Sequence, residues 1–497
     1  MRIEYGLKVS WPPLAWLAQC IRGSQTILVL HGRDVVVNDE FFFEGSWAGD
    51  FSAGNFDKLE ILAGSGGRCR ASEVIFTSPS STVDRLQSLC NGRTTWISNS
   101  LACLLASTNA EVDITYNGWY ADFYSIIKGL HNYKRTIETT KGALQLTYYD
   151  NIIWNGVDAA LTPKPTADAK HFLSFEKYRA FLTEGCLRLS RNMQDQFRPR
   201  RMEFLGTTST GYDSPTVCAI ARNAGLKNVL CFDQSHQGEP DSGHQIAEIL
   251  GLRPNVIADV AWRALPYPEI PFLAANAMGE EVRFAAASNL LSGRVLLTGY
   301  HGDKIWGTNS NGPSAEIIRG DPSGLGLSEF RLWAGFAHCP MPFWGIAHGE
   351  AIHQISTSPE LTRWNVPAEY NRPLCRRIVE EAGVPRHAFG VSKRNASVIM
   401  HNYSEFMTPK SIHDYLAWLK DHAFAWRRNG RLPPIRSVSL DRALYVANNK
   451  LESLTRNRAF LWRIAAVCET NTTPLRRYTF AWALSHACRR YGDVLGM

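Results

Sequence analysis

Residues 204–225 read FLGTTSTGYDSPTVCAIARNAG: an apolar run, a loop of small hydroxyl residues, an acid, and a helix-forming stretch closed by glycine. The run Met202–Leu205 reads as a strand. Ser214 is expected to cap the following helix, with Pro215 at its first position, where a missing N–H costs nothing. Gly225 is expected to end that helix. The loop Thr207–Gly211 then turns backbone N–H groups, hydroxyls and a helix N-terminus toward one spot, which suits an anion and phosphate above all. Asp213 opposes an anion unless a cation lies between them. Magnesium resolves the conflict, because it takes carboxylate and phosphate oxygens together.

Working outward, residues from about 202 to 300 alternate apolar runs (MEFLG, NVLCF, PNVIADVAW, RVLLTG) with helical patterns. That alternation predicts a doubly wound, largely parallel α/β sheet, which binds ligands where strand ends enter loops. Residues up to about 165 read as β-rich, with QTILVLHGRDVVVNDEFFFEGSW as strands and GALQLTYYDNIIWNG as a hairpin turning at Asp150-Asn151. GSGGR at 64–68 reads as a flexible hairpin turn. LTPKPTADAK (161–170) reads as a linker, FEKYRAFLTEGCLRLSRNM as a long helix, and the chain beyond 325 as mostly helical.

At 497 residues the chain exceeds one ordinary core, so two or three domains are expected. Its 45% hydrophobic and 20% charged residues are those of a globular protein, and no apolar run reaches membrane-spanning length. Eleven cysteines without CxxC spacing suit reduced thiols, and Met1–Leu14 lacks a signal-peptide core, so the expected location is cytoplasmic. The net charge of +7 is concentrated in residues 401–497, which hold 15 Lys+Arg against 7 Asp+Glu. This segment fits a solvated helical face, or a surface for phosphate, nucleic acid or an acidic partner.

Ser209-Thr210-Gly211-Tyr212-Asp213-Ser214 resembles the pyrophosphate loop Ser-Gly-Gly-x-Asp-Ser of the ATP-pyrophosphatase (PP-loop) superfamily, with Thr210 in place of the first glycine. VLLTGYHGDKIWG (295–307) resembles the asparagine-synthetase stretch Leu-Thr-Gly-Glu-Gly-x-Asp-Glu-x-Phe-Gly, with Lys304 replacing the second glutamate. The resemblance implies ATP at Ser209, Thr210, Gly211, Asp213, Ser214 and Gly299, and Mg2+ shared by Asp213 and Asp303. Tyr300 stands where β-lactam synthetases carry a tyrosine. That branch pairs it with a downstream glutamate, matched here by Glu329, and uses a late lysine, matched by Lys393.

WISNSLACLLA (96–106) and GLHNYKRTIETTKGALQL (129–146) resemble parts of the glutaminase-like domain that precedes such synthetase domains. The chain begins Met1-Arg2 and its first cysteine is Cys20, so glutamine hydrolysis is not expected. The expected architecture is therefore α/β: an inactive glutaminase-like, Ntn-type sandwich (1–165), a doubly wound PP-loop synthetase domain (170–400) and a basic helical extension (401–497). The expected activity is ATP-dependent amide formation through an acyl-adenylate, joining a small-molecule or peptide acid and amine, with ring closure open. Two alternatives remain: a nucleic-acid-modifying enzyme that adenylates a base, and a non-catalytic nucleotide-binding homologue.

Overall fold

The computed structural model describes residues 1–114, 116, 118–234, 243–308, 316–367, 370–390, 406–422 and 478–492. Three sheets organise it. A seven-stranded mixed sheet runs, in spatial order, through Arg2–Leu7, Thr26–His31, Trp16–Ile21, Thr94–Ser98, Arg85–Asn91, Gly142–Tyr148 and Thr136–Thr139. A six-stranded antiparallel sheet runs through Ala159–Thr162, Asn151–Trp154, Glu73–Thr77, Leu62–Arg70, Phe41–Trp47 and Val36–Val37. Period-2 alternation sends Trp16, Ala18, Ile27 and Val29 from the first sheet, and Phe42, Phe76 and Trp154 from the second, into one shared core. The two sheets therefore form a sandwich.

Two local expectations are corrected there. Residues 142–154 are not a hairpin: Gly142–Tyr148 pairs with Arg85–Asn91 in the first sheet, whereas Asn151–Trp154 pairs with Glu73–Thr77 in the second. Tyr149, at φ 65°, turns the corner between the sheets. Alternating apolar residues around an Asp-Asn pair fit either geometry, and only the burial of Tyr148 and Tyr149 in different cores separates them. GSGGR is likewise no turn but the middle of the strand Leu62–Arg70. A Cβ on Gly64, at φ 111°, would meet the Glu44 carbonyl oxygen at 1.8 Å, so glycine there permits close strand approach.

The third sheet has five strands, all parallel, in the order Arg253–Ile257, Asn228–Phe232, Glu203–Thr207, Arg294–Thr298, Ala337–Pro340. Both faces are covered, as the apolar runs require. Leu205, Leu230 and Leu296 pack into one core, and Phe204, Val229, Val295 and Leu297 into another. The long helix Phe175–Met193 begins where expected, at Ser174, whose hydroxyl accepts from Lys177 N at 3.4 Å. Gly225 takes φ 97° at the end of the helical stretch after the first strand, also as expected. The expected linker 161–170 is not loose chain: it starts inside the strand Ala159–Thr162 and buries Lys164, whose Nζ donates to Ser78 O and Asn151 Oδ1. Among the described residues no helix is long and apolar enough to cross a membrane.

The sandwich and the parallel-sheet body share side chains. Arg331, 1% exposed, bonds Glu44 and Asp84 of the sandwich through Nη1 and Nε. The helix Thr479–Arg489 packs against the helices Ile270–Asn276 and Leu101–Thr108, closing the same core.

Candidate functional site

Strand order reverses beside Glu203–Thr207: the next two strands lie on one side and Arg294–Thr298 on the other. In open parallel sheets this reversal leaves a crevice at the carboxyl ends of the two adjacent strands. The loops leaving them carry the two motifs, so the fold itself juxtaposes stretches ninety residues apart.

The first loop is tied locally. Thr208 N donates to Leu230 O at 3.1 Å, Gly211 N to Ser209 Oγ at 3.3 Å, and Ser209 Oγ lies 2.9 Å from Ser214 Oγ. The helix after it spans Asp213–Ala221 and starts earlier than the sequence suggests. Tyr212 precedes it, so Ser214 lies inside the first turn and Pro215 is its third residue. Asp213 thus opens the helix, near the positive end of its dipole.

The second loop is a tight turn, closed by Gly302 N donating to Gly299 O at 3.0 Å. It rests on the first helix. A Cβ on Gly299 would sit 2.6 Å from Asp213 Cβ, and one on Gly302 2.6 Å from Asp213 Cγ. Only glycine at both places lets the turn carrying Asp303 lie against Asp213.

A cleft of about 130 Å3 results, lined by Ser209, Gly211, Asp213, Ser214, Gly299, Tyr300 and Asp303 with Phe232 and Phe284 on its apolar side. Nucleotide-sized sites enclose several hundred Å3, so a nucleotide requires the cleft to widen. Thr210 does not line it; its carbonyl accepts from Gly390 N at 2.8 Å. Arg372, 5% exposed, lines the cleft and forms an ion pair with Asp213, which raises the guanidinium further above its usual range against the opposing effect of burial. Among the described residues no three His, Cys, Asp or Glu side chains gather as a metal centre. Magnesium bound with phosphate needs only one or two carboxylates, so Asp213 and Asp303 in one cleft remain an adequate pair.

Tyr300 lies against Gly324, where a Cβ would meet its Cδ2 at 2.9 Å, and edge-on to His338 at 5.6 Å between centroids. Burial first, then the Glu281 charge, push its phenol well above the ordinary value. Glu281 is buried and accepts from Gly324 N and, at 3.1 Å, from Gly326 N; burial pushes its carboxyl up to about 7. Glu329 is elsewhere. Its carboxylate accepts from Ser100 Oγ at 2.7 Å, Trp333 Nε1 at 2.9 Å and Tyr491 Oη at 2.7 Å, at the junction with the sandwich. The expected pairing of Tyr300 with Glu329 is therefore not found; the carboxylates whose charge acts on the phenol are Glu281 first, then Asp321 and Glu280. Nothing in the stretch GEEVRF marked Glu281, because a long fold-back brings it to the 324–326 turn.

Lys393 lies outside the described residues. His301, Arg319 and Arg372 were also missed by sequence reasoning. His301 falls inside the second motif, where the resembled stretch has glycine, and that mismatch was a usable signal. It takes φ 74°, lines the cleft, and stacks on Phe343 at 4.9 Å; burial and Arg319 hold its imidazole neutral, down at about 3. No protein-family model matches the chain, and no curated protein sequence matches it.

Proposed function

We propose that the chain is an ATP-dependent, AMP-forming carbon–nitrogen ligase. The observation supporting this most is the meeting of Asp213 and Asp303 in one cleft, from adjacent parallel strands at the point of reversal. In this reading the loop Ser209–Ser214 and Gly299 bind the phosphates of ATP. Asp213 and Asp303 would hold Mg2+, which supplies charge neutralisation to the triphosphate. A substrate carboxylate oxygen attacks the α-phosphorus, and the bond to pyrophosphate breaks. The amine nitrogen then attacks the acyl carbon, AMP leaves with the C–O electron pair, and the proton lost by the amine passes to solvent water. Tyr300 is the cleft group suited to accept a hydrogen bond from that amine, within the field of Glu281. Lys393 keeps its sequence-based role of steadying negative charge.

The test is magnesium-dependent ATP consumption by the full chain across the proteinogenic amino acids as acid and amine, with products identified. AMP and pyrophosphate are expected, with Asp213→Ala and Asp303→Ala each lowering turnover about 100-fold or more, the scale of removing a preorganised charge contact. ADP as product, or wild-type turnover in both variants, overturns the reading. The Asp213–Arg372 pair favours a second reading, a nucleotide-binding protein without turnover, which would show ATP binding and no consumption.

A further inference from the structure

His301 holds a left-handed backbone conformation, φ 74° and ψ −1°, that costs most residues with a side chain more than it costs glycine. Glycine would fit there without strain, so the imidazole is kept at a cost. It is 5% exposed, stacked on Phe343, and its Nδ1 has no hydrogen-bond partner among the described residues. Buried ring nitrogens are almost always paired, so an orphan on the wall of a cleft calls for an explanation. Arg319 repeats the pattern beside it. This guanidinium is 4% exposed and lies 5.9 Å over the Phe343 ring; Nη2 bonds Ser323 O, while Nε and Nη1 have no partner. Three orphaned nitrogens on two side chains packed against one ring form a donor set that fits an anionic oxygen. In sequence His301 stands between Tyr300 and Asp303, both of which line the cleft.

We propose that His301 is a ligand-contacting residue of this cleft, its Nδ1 donating a hydrogen bond to a phosphoryl oxygen of the bound nucleotide. The proposal rests on the ATP reading above and adds to it a contact that the resembled motif, with glycine at this place, does not make. Nδ1 is covered in the narrow cleft and becomes reachable as the cleft widens to admit a nucleotide. The left-handed backbone is then the cost of aiming the ring inward from a turn pressed against Asp213.

The experiment measures binding of Mg–ATP, AMP and inorganic pyrophosphate to the full chain by calorimetry, with thermal unfolding alongside. Replacement by glycine relieves the strained backbone but removes a ring packed on Phe343, so the unfolding measurement serves to show that His301→Gly is folded at the temperature of the binding experiment. The variant is expected to lose tenfold or more in affinity for AMP or for pyrophosphate, and the affected ligand identifies the phosphoryl group contacted. His301→Asn keeps an amide donor and tolerates the left-handed region, so it is expected to recover part of the loss. Unchanged affinities in His301→Gly overturn the proposal while leaving the ATP reading intact. Absence of all nucleotide and pyrophosphate binding in the wild type sinks both.

Discussion

The junction between sandwich and parallel-sheet body and the cleft at the end of that sheet both bury charge, but they use it differently. At the junction, Glu44 accepts from Ser65 N, Ser65 Oγ and Arg331, and Glu329 accepts from three donors. In the cleft, Asp213 is partly exposed while its partner Arg372 is buried, and Nδ1 of the cleft-lining His301 is buried without a partner among the described residues, as are two nitrogens of the neighbouring Arg319. Saturated carboxylates hold two bodies in one geometry. In the cleft the orphaned His301 Nδ1 belongs to a residue beside open space, whereas the orphaned Arg331 Nη2 of the junction is enclosed between paired carboxylates. Desolvation makes each unpaired buried group costly, so its persistence in the cleft is informative in a way that the paired groups are not.

Breaking the junction should therefore cost stability more than any single change in the cleft. Arg331→Ala leaves Glu44 and Asp84 buried without their cation, and a loss of about 3–5 kcal/mol is expected in urea unfolding. A loss below 1 kcal/mol would show that the junction charges are not what holds the bodies together.

Glu60 sharpens the same contrast through pH. Its carboxylate accepts from Ala167 N and Gly345 N, yet burial raises it to about 7. The folded state therefore retains a proton that the unfolded chain releases near pH 4.3. Glu60 thus lowers stability as pH rises from about 4.3 to about 7 and adds no further slope above that. At 1.36 kcal/mol per pKa unit the effect is on the order of 3 kcal/mol. Glu60→Gln should remove this component, so the stability difference from wild type should change across that window and be constant above pH 8. A constant difference throughout would mean that Glu60 titrates normally.

The smallest expected effect is at Tyr491. Tyr491→Phe removes one of the three donors to Glu329 and should destabilise by about 1.5–3 kcal/mol, as for hydrogen bonds to charged groups. Turnover, measured where the chain is folded, should be unchanged, because Glu329 belongs to the junction. A large loss of turnover without loss of stability would return Glu329 to the cleft.

What the sequence made legible was local. Ser209–Ser214 and Gly299–Asp303 each sit at the end of one strand, and the strand-to-loop transition is written in contiguous residues. The parallel sheet was readable for the same reason, except for its edge strand Ala337–Pro340, four residues too short to show a period. Pairings made by the fold were not legible. Glu281 reaches Tyr300 through a turn more than forty residues on, and Arg372 reaches Asp213 across 159 positions, with no spacing rule to announce either. Residues 142–154 failed differently, since alternation reports which residues are buried but not in which sheet.

Trp11 and Tyr491 touch edge-on, 5.5 Å between ring centroids, within a core that also holds Phe480 and Trp482. A chain without residues 478–492 therefore leaves the apolar flank of the seven-stranded sheet and the underside of the helix Ile270–Asn276 uncovered. Such a shortened chain presents that seam to chaperones and proteases.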